Sequence, residues 1–242
     1  ANLAFFGCSK ITSIYFPEDI KYIGDGAFNE CYNLKSIYFD GNLEGWLNIS
    51  HGDRNLNFDL YLQNELVRDL TIPGNISAIG DFAFSSVNLR KVIISEGVSS
   101  IGAGAFHCST ICEVDIPDSL TSIGRDAFYN SLISTIDIPG NLNDWDYAFS
   151  GMFSLHSIIF SKNITSIPEH AFDNSAMAIV HLPDQIESIS STAFWECDNI
   201  RIINVPSNIL NTNWIPYTVS VVYNYSEKKC KVVNMVSDKI YD

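Results

Sequence analysis

The chain has 242 residues, 46% of them hydrophobic and 12% aromatic, which is ample for a continuous core and excludes intrinsic disorder. Its formal net charge of −14 argues against nucleic acid, where phosphate contacts need a basic surface, and equally against a polybasic membrane footprint. No apolar run approaches the roughly 18 residues of a transmembrane span, so no membrane insertion is expected within this chain.

Residues 11–34 set a pattern of apolar positions that returns almost to the end of the chain. Successive returns start at Ile11, Leu34, Val67, Leu89, Ile111, Ile133, Leu155, Met177 and Ile200, at intervals of 23, 33, 22, 22, 22, 22, 22 and 23 residues. A period in the twenties predicts a solenoid, whose coils bury their apolar faces against one another rather than alone. Ala4, Phe5 and Cys8 already match the second half of a repeat. The chain is therefore expected to start in mid-repeat, as a piece of a longer protein whose targeting segments lie elsewhere.

Each repeat opens on apolar-x-x-apolar-x-apolar, as in Leu34, Ile37 and Phe39 or Ile111, Val114 and Ile116. The alternation and the Ile, Val and Phe content predict a strand. Proline follows at Pro17, Pro73, Pro117, Pro139, Pro183 and Pro206, and its missing amide donor closes the strand. Two inward anchors come next, such as Ile20 and Ile23, Val98 and Ile101, or Leu120 and Ile123. Gly24, Gly80, Gly102 and Gly124 follow an anchor isoleucine, where glycine permits a tight or positive-φ bend. Residues 25–31 and their counterparts read as a short helix or helical turn, with a small Ala and a large Phe pointing inward.

Two places break the rhythm. Between Phe39 and Val67 lie eleven extra residues; Leu43 and Trp46 still fill the anchor positions, as Leu142 and Trp145 do later, so the addition falls after Trp46. Phe58-Asp59-Leu60-Tyr61-Leu62, Gln63-Asn64-Glu65 and Leu66-Val67 read as a hairpin within an insertion at about 47–66. After Ile209 the pattern fades through Trp214-Ile215-Pro216 into alternating runs around Ser226-Glu227-Lys228-Lys229. The expected organisation is a solenoid over 1–213 and a β-hairpin cap, or a link to a following segment, over 214–242.

The six cysteines show neither zinc spacing nor a CxxC pair. Cys8, Cys31 and Cys197 share a repeat slot filled elsewhere by Val87, Ser131, Met152 and Ser175, which describes a small buried site with free thiols. A Cys8–Cys31 disulfide between neighbouring coils is the alternative, and it would suit an oxidising compartment.

The repeat carried by Ile11, Ile14, Phe16, Pro17, Ile20, Ile23, Gly24, Ala27, Phe28, Cys31 and Leu34 closely resembles the BspA-like (Treponema pallidum-type) leucine-rich repeat, over roughly residues 4–210. It departs from the common leucine-rich pattern in having no Asn or Cys ladder after the strand. The resemblance implies an α/β fold: a right-handed leucine-rich-repeat solenoid with a parallel β-sheet on one face and short helices or turns on the other. It also implies a surface or secreted protein of a host-associated microbe, engaged in adhesion or in binding host proteins or other cells.

Catalytic motifs are missing: there is no GxSxG, HExxH, phosphate loop or dinucleotide fingerprint. Glu169-His170 reads as part of a solvated convex face, and His51, His107, His156, His170 and His181 occupy different repeat positions. His51-Gly52-Asp53 lacks calcium-loop spacing. No enzyme, cofactor or metal is expected. Of the sequons at Asn48, Asn75, Asn163 and Asn224, two overlap the repeat turn and read as turn-forming asparagines in a bacterial protein, whereas in a eukaryotic source the sequons would be glycan sites.

A binding face follows from the strand period, because the x positions point to the outer surface of the sheet. One outward row is Ser13, Ser36, Asp69, Lys91, Glu113, Thr135, Ser157, Ile179 and Ile202; the other is Tyr15, Tyr38, Thr71, Ile93, Asp115, Asp137, Ile159, His181 and Asn204. The candidate ligand-binding residues are Tyr15, Tyr38, Asp69, Lys91, Ile93, Glu113, Asp115, Asp137, Ile159, Ile179 and His181. Glu113, Asp115 and Asp137 form an acidic centre suited to a basic partner, flanked by aromatic and apolar contacts. The expected partner is a host or microbial surface protein. A passive spacer, or a glycan-binding module using Tyr15, Tyr38 and the loop with Trp46, are the alternatives.

Overall fold

A computed structural model describes residues 2–52, 56–206, 209, 215–216, 221–224, 229–234 and 239–241. The chain winds into a parallel β-solenoid of about nine turns. Each coil contributes three layers. The first is a strand of three or four residues, such as Ser13–Phe16, Ser36–Phe39, Lys91–Ile94 or Thr135–Ile138. Its inward members are buried, as with Ile37 and Phe39 or Val92 and Ile94, while the alternate residues face out. The second is a two-residue strand formed at the second anchor, such as Ser100–Ile101 paired in parallel with Ser122–Ile123. The third is a ribbon of turns.

Of the short helices or turns expected there, that third layer consists of turns. Within it, alternate amides bond in two directions. Ala83, Ser85 and Val87 donate to the carbonyls three residues back, while Phe82, Phe84 and Ser86 donate to Ala103, Ala105 and His107 of the next coil. A helix would direct every amide along its own axis; here half of them cross-link the coils. The turns require left-handed backbone at two points per coil, seen at Phe82 and Ser86, Asp126 and Asn130, and His170 and Asn174. Among the described residues the only α-helix is Leu43–Leu47, capped by the Asn42 side chain, which accepts from the Gly45 amide at 2.9 Å.

The glycines after the anchor isoleucines do not make the positive-φ bend, one of the two expectations for them. Gly24, Gly80, Gly102 and Gly124 are not among the positive-φ residues. Gly102 and Gly124 are needed for close stacking: a Cβ on Gly102 would sit 2.6 Å from the Asp81 nitrogen, and one on Gly124 would sit 2.7 Å from the Gly102 carbonyl carbon. Each glycine lets one coil lie directly on the backbone of the coil before it.

The interior is a stack of like side chains. Phe84, Phe106, Phe128, Phe149, Phe172 and Phe194 form a spine, with successive centroids 5.4–5.8 Å apart and rings 9–13° from parallel. The small-residue slot donates hydrogen bonds to the coil before it: Cys31 Sγ to the Phe5 carbonyl (2.9 Å), Ser175 Oγ to Phe149 (3.2 Å) and Cys197 Sγ to Phe172 (3.0 Å). Cys8 and Cys31 are free thiols.

The long interval resolves into an ordinary coil followed by a hairpin. Asp59–Leu62 pairs in parallel with Ser36–Phe39, Tyr38 opposite Tyr61, so the period of 23 persists through the break. It then pairs antiparallel with Glu65–Leu66. Gln63 and Asn64 between them have φ of 50° and 66°, the left-handed pair that a tight hairpin turn uses. The next full repeat strand, Asp69–Ile72, opens a new sheet segment. Trp46 fills the core beneath this step, fully buried, with its indole Nε1 donating to the Ala83 carbonyl at 2.9 Å. At the other end Ile202–Val205 pairs in parallel with Val221–Asn224, followed by antiparallel Lys229–Asn234 and Lys239–Tyr241. Trp214 and residues 226–228 lie outside the described residues.

Candidate binding face

The outward row of tyrosines is longer than its spacing in the intact repeats indicates. Tyr15 and Tyr38 stack at 4.5 Å and 8°, and Tyr38 and Tyr61 at 4.3 Å and 17°. Parallel strands in exact register set these rings at the coil spacing, so each covers a face of the next. Tyr61 is not among the candidates that the outward rows of the sequence give. Its signal lies in Asp59-Leu60-Tyr61-Leu62, which repeats the form of Ser36-Ile37-Tyr38-Phe39 at the same period. Desolvation of Tyr61, then the neighbouring Tyr38 and Asp59, raise its phenol pKa above the ordinary value. The outermost ring, Tyr15, is 67% exposed.

Next along the sheet is a charge network. Arg68 pairs with Asp59 at 2.9 Å. Arg90 pairs with Asp69 and reaches Glu113 at 3.9 Å, and Lys91 Nζ lies 3.4 Å from both Glu113 and Asp115. The carboxylate of Asp115, then that of Glu113, hold the Lys91 ammonium above its ordinary pKa, and Asp69 does the same for the Arg90 guanidinium. Two of the three carboxylates of the expected acidic centre are thus neutralised by the preceding coil. Asp137 has no ion-pair partner among the described residues.

The candidates do not form one continuous patch. The main sheet is segmented, with Asp69–Ile72, Lys91–Ile94 and Glu113–Asp115 in one segment, and Thr135–Ile138 with Ser157–Phe160 in another. Ile179–His181 and Ile202–Val205 belong to a third. The structure brings Asp69, Lys91, Ile93, Glu113 and Asp115 together on the first of these. Asp137 and Ile159 are register partners on the second. Ile93, Ile159 and Ile179 are exposed isoleucines at separate points. His181 is exposed and hydrogen-bonds Asn204, which is buried despite its place in the outward row. Trp46 is too deep to contact a sugar, which removes it from the glycan alternative.

Outside this face, His170 stacks on Tyr147 at 4.4 Å and lies 3.1 Å from Asp173. Among the described residues no group of three His, Cys, Asp or Glu side chains is placed to hold a metal, and no helix is long and apolar enough to cross a membrane.

A solved structure of a leucine-rich repeat protein from Bacteroides ovatus is similar at a TM-score of 0.61 with 23% identity, covering 93% of this chain and 58% of that one. The chain therefore spans little more than half the length of that protein. The pneumococcal vaccine antigen PcpA matches with a TM-score of 0.46 and 20% identity, over 90% of this chain and 64% of the other. No curated protein matches significantly. The model of the BspA type leucine-rich repeat region matches residues 1–58, 61–146 and 145–218, in six copies. With stacked coils, repeat sequence and family model in agreement over most of its length, the chain belongs to the BspA-type leucine-rich repeat family.

Proposed function

We propose that this chain is the binding module of a surface or secreted protein of a host-associated microbe, and that it holds a protein partner against its exposed sheet face. The observation that carries this is the Tyr15–Tyr38–Tyr61 ladder, three aromatic rings held in register on the outer surface. Tyrosine offers a large, rigid contact with few rotatable bonds and a polar tip, the side chain that protein interfaces favour. A rigid parallel sheet orders these groups before the partner arrives, which lowers the entropy lost on association. Beside the ladder, the paired charges from Asp59 to Asp115 give a polar rim whose signs constrain the partner's orientation.

Protein is favoured over glycan by the stacking itself. A sugar packs on a ring face, but at 4.3–4.5 Å both faces of Tyr38 and one face each of Tyr15 and Tyr61 are covered by a neighbouring ring, so a face is left only at the ends of the ladder. The test is a panel of host matrix and microbial surface proteins presented to the chain beside a glycan array. A protein hit should weaken at least tenfold, about 1.4 kcal/mol, when Tyr15, Tyr38 and Tyr61 are all changed to Ala. Glycan hits alone would replace this reading, and no hit in either panel would leave the chain a spacer.

A further inference from the structure

The sheet face of the solenoid is interrupted at several points, one of them between the coils that carry Glu113–Asp115 and Thr135–Ile138. Glu113–Asp115 and Thr135–Ile138 belong to separate sheet segments, yet their coils remain bonded elsewhere. Asn143 N–H donates to the Thr121 carbonyl and Ile123 N–H to the Asp144 carbonyl, both at 2.9 Å. In the turn layer Asp126 donates to Tyr147 at 3.1 Å and Asn130 to Gly151 at 3.0 Å. The two coils are therefore fastened at the back and parted at the front. Val114 and Ile116 are only half-buried as a result, whereas Val92, Ile94, Ile136 and Ile138 on the flanking strands are buried.

Beside this opening lies a cleft of about 310 Å³ whose walls include Ile116, Ile159 and Phe160 and whose polar groups include Glu96, Asp118 and Asp137. No Lys, Arg or His lines it. The Glu96 carboxylate accepts from the Asp118 and Ser119 amides at 3.0 and 3.1 Å, which fixes it in place. Asp118 and Asp137 are exposed and form no ion pair among the described residues. Arg90 and Lys91 on the neighbouring strands are engaged with Asp69, Glu113 and Asp115, and Lys162, which follows the lining residue Ser161, forms no ion pair with the carboxylates of the cleft among the described residues.

The geometry points to this cleft as the seat of one Lys or Arg side chain from the protein partner. The inference rests on the binding-face reading and specifies the chemistry of the partner. A long basic side chain matches both properties of the site, since its methylene stem covers apolar surface while its head remains with charge. Ile116, Ile159 and Phe160 take the stem; Asp118 and Asp137 take the head. A bare metal ion would leave the apolar walls uncovered, and an acidic partner would be repelled by all three carboxylates.

The test uses two synthetic heptapeptides, acetylated and amidated, identical except for Arg or Glu at the centre. Each is titrated into the intact chain, carrying labelled isoleucine methyl groups, while NMR shifts are followed. The Arg peptide should shift Ile116 and Ile159 saturably, and bind at least tenfold more weakly to the D118N/D137N variant. Both substitutions are exposed and nearly isosteric, and unchanged circular dichroism verifies the fold. Equal shifts from the Glu peptide, no saturable shift at millimolar peptide, or undiminished binding to D118N/D137N would each overturn the assignment. A protein found on the panel that loses affinity with the tyrosine variants but not with D118N/D137N would sink the cleft and spare the face. Arg-peptide binding in the cleft without any panel hit would do the reverse.

Discussion

Tyr38 and Tyr61 are 23 positions apart in the chain, yet their rings lie 4.3 Å apart on the solvent side of the sheet, with Tyr15 at 4.5 Å on the other face of Tyr38. Aromatic pairs contribute about 0.5–1.5 kcal/mol beyond the area they bury. Tyr38→Ala breaks both contacts and Tyr15→Ala only one. Denaturant unfolding should therefore show a loss of roughly 1–3 kcal/mol for Tyr38→Ala and about half of that for Tyr15→Ala. Equal losses would mean that the rings merely lie near one another.

The phenylalanine spine makes a stronger demand. Phe128 is fully buried between Phe106 at 5.4 Å and Phe149 at 5.8 Å. Phe128→Ala should cost about 3–5 kcal/mol, the range for emptying a core aromatic site. In a solenoid that loss weakens the coupling between coils on either side. Its unfolding transition should accordingly broaden or split, which calorimetry would register. A small uniform shift in midpoint would instead show that neighbouring side chains collapse into the space.

The solenoid was legible in the sequence because stacking imposes one period on every inward position, and Ile, Phe and Ala recur at it. What the period could not convey was backbone direction. Residues 25–31 have helix-like spacing of Ala and Phe, but positive φ at Gly26 and Glu30 makes them turns. Tyr61 is not legible as a member of the outward row because the hairpin after it shifts the following strand, so that the repeat period leads from Tyr38 to Thr71. Outward candidates were legible only as rows. Their pairing with Arg90 and Lys91, and the opening after Asp115, depend on side-chain reach and local strand separation that spacing does not encode.

Two glycines in the same repeat position should respond in opposite ways to alanine. At Gly124 the added methyl would meet the Gly102 carbonyl carbon at 2.7 Å and the backbone of Ala103, which cannot move without separating the coils. At Gly80 nothing lies within 4 Å of the same methyl, and its φ is not positive. Gly124→Ala should destabilise by about 1–3 kcal/mol through overpacking. Gly80→Ala should stabilise by about 0.4–1 kcal/mol by restricting the unfolded chain. Thermal melts of the two variants decide the matter, and a matching loss in both would return the glycines to a conformational role.

Cys197 gives the fold a dependence on alkaline pH. Burial, the dominant cause, pushes its thiol up to about 12. Sγ donates to the Phe172 carbonyl in its protonated form, at 3.0 Å. An unfolded thiol titrates near 8.5. Between those values the unfolded state gives up a proton that the folded state retains, so the unfolded state is increasingly favoured as pH rises. The contribution of this group to stability is complete below about pH 8.5 and is lost as pH climbs towards 12, at a limiting slope of about 1.4 kcal/mol per unit. Cys197→Ser is the control, because Ser175 fills the same slot with an equivalent hydrogen bond and does not titrate there. Tyr61 and Lys91 also have raised pKa values and act in the same direction at high pH, but they are common to both proteins. The difference in unfolding free energy between wild type and Cys197→Ser should thus be flat from pH 6 to 8 and then shift steadily against the wild type from about pH 9. Parallel curves throughout would mean that the slot opens to solvent before the thiol ionises.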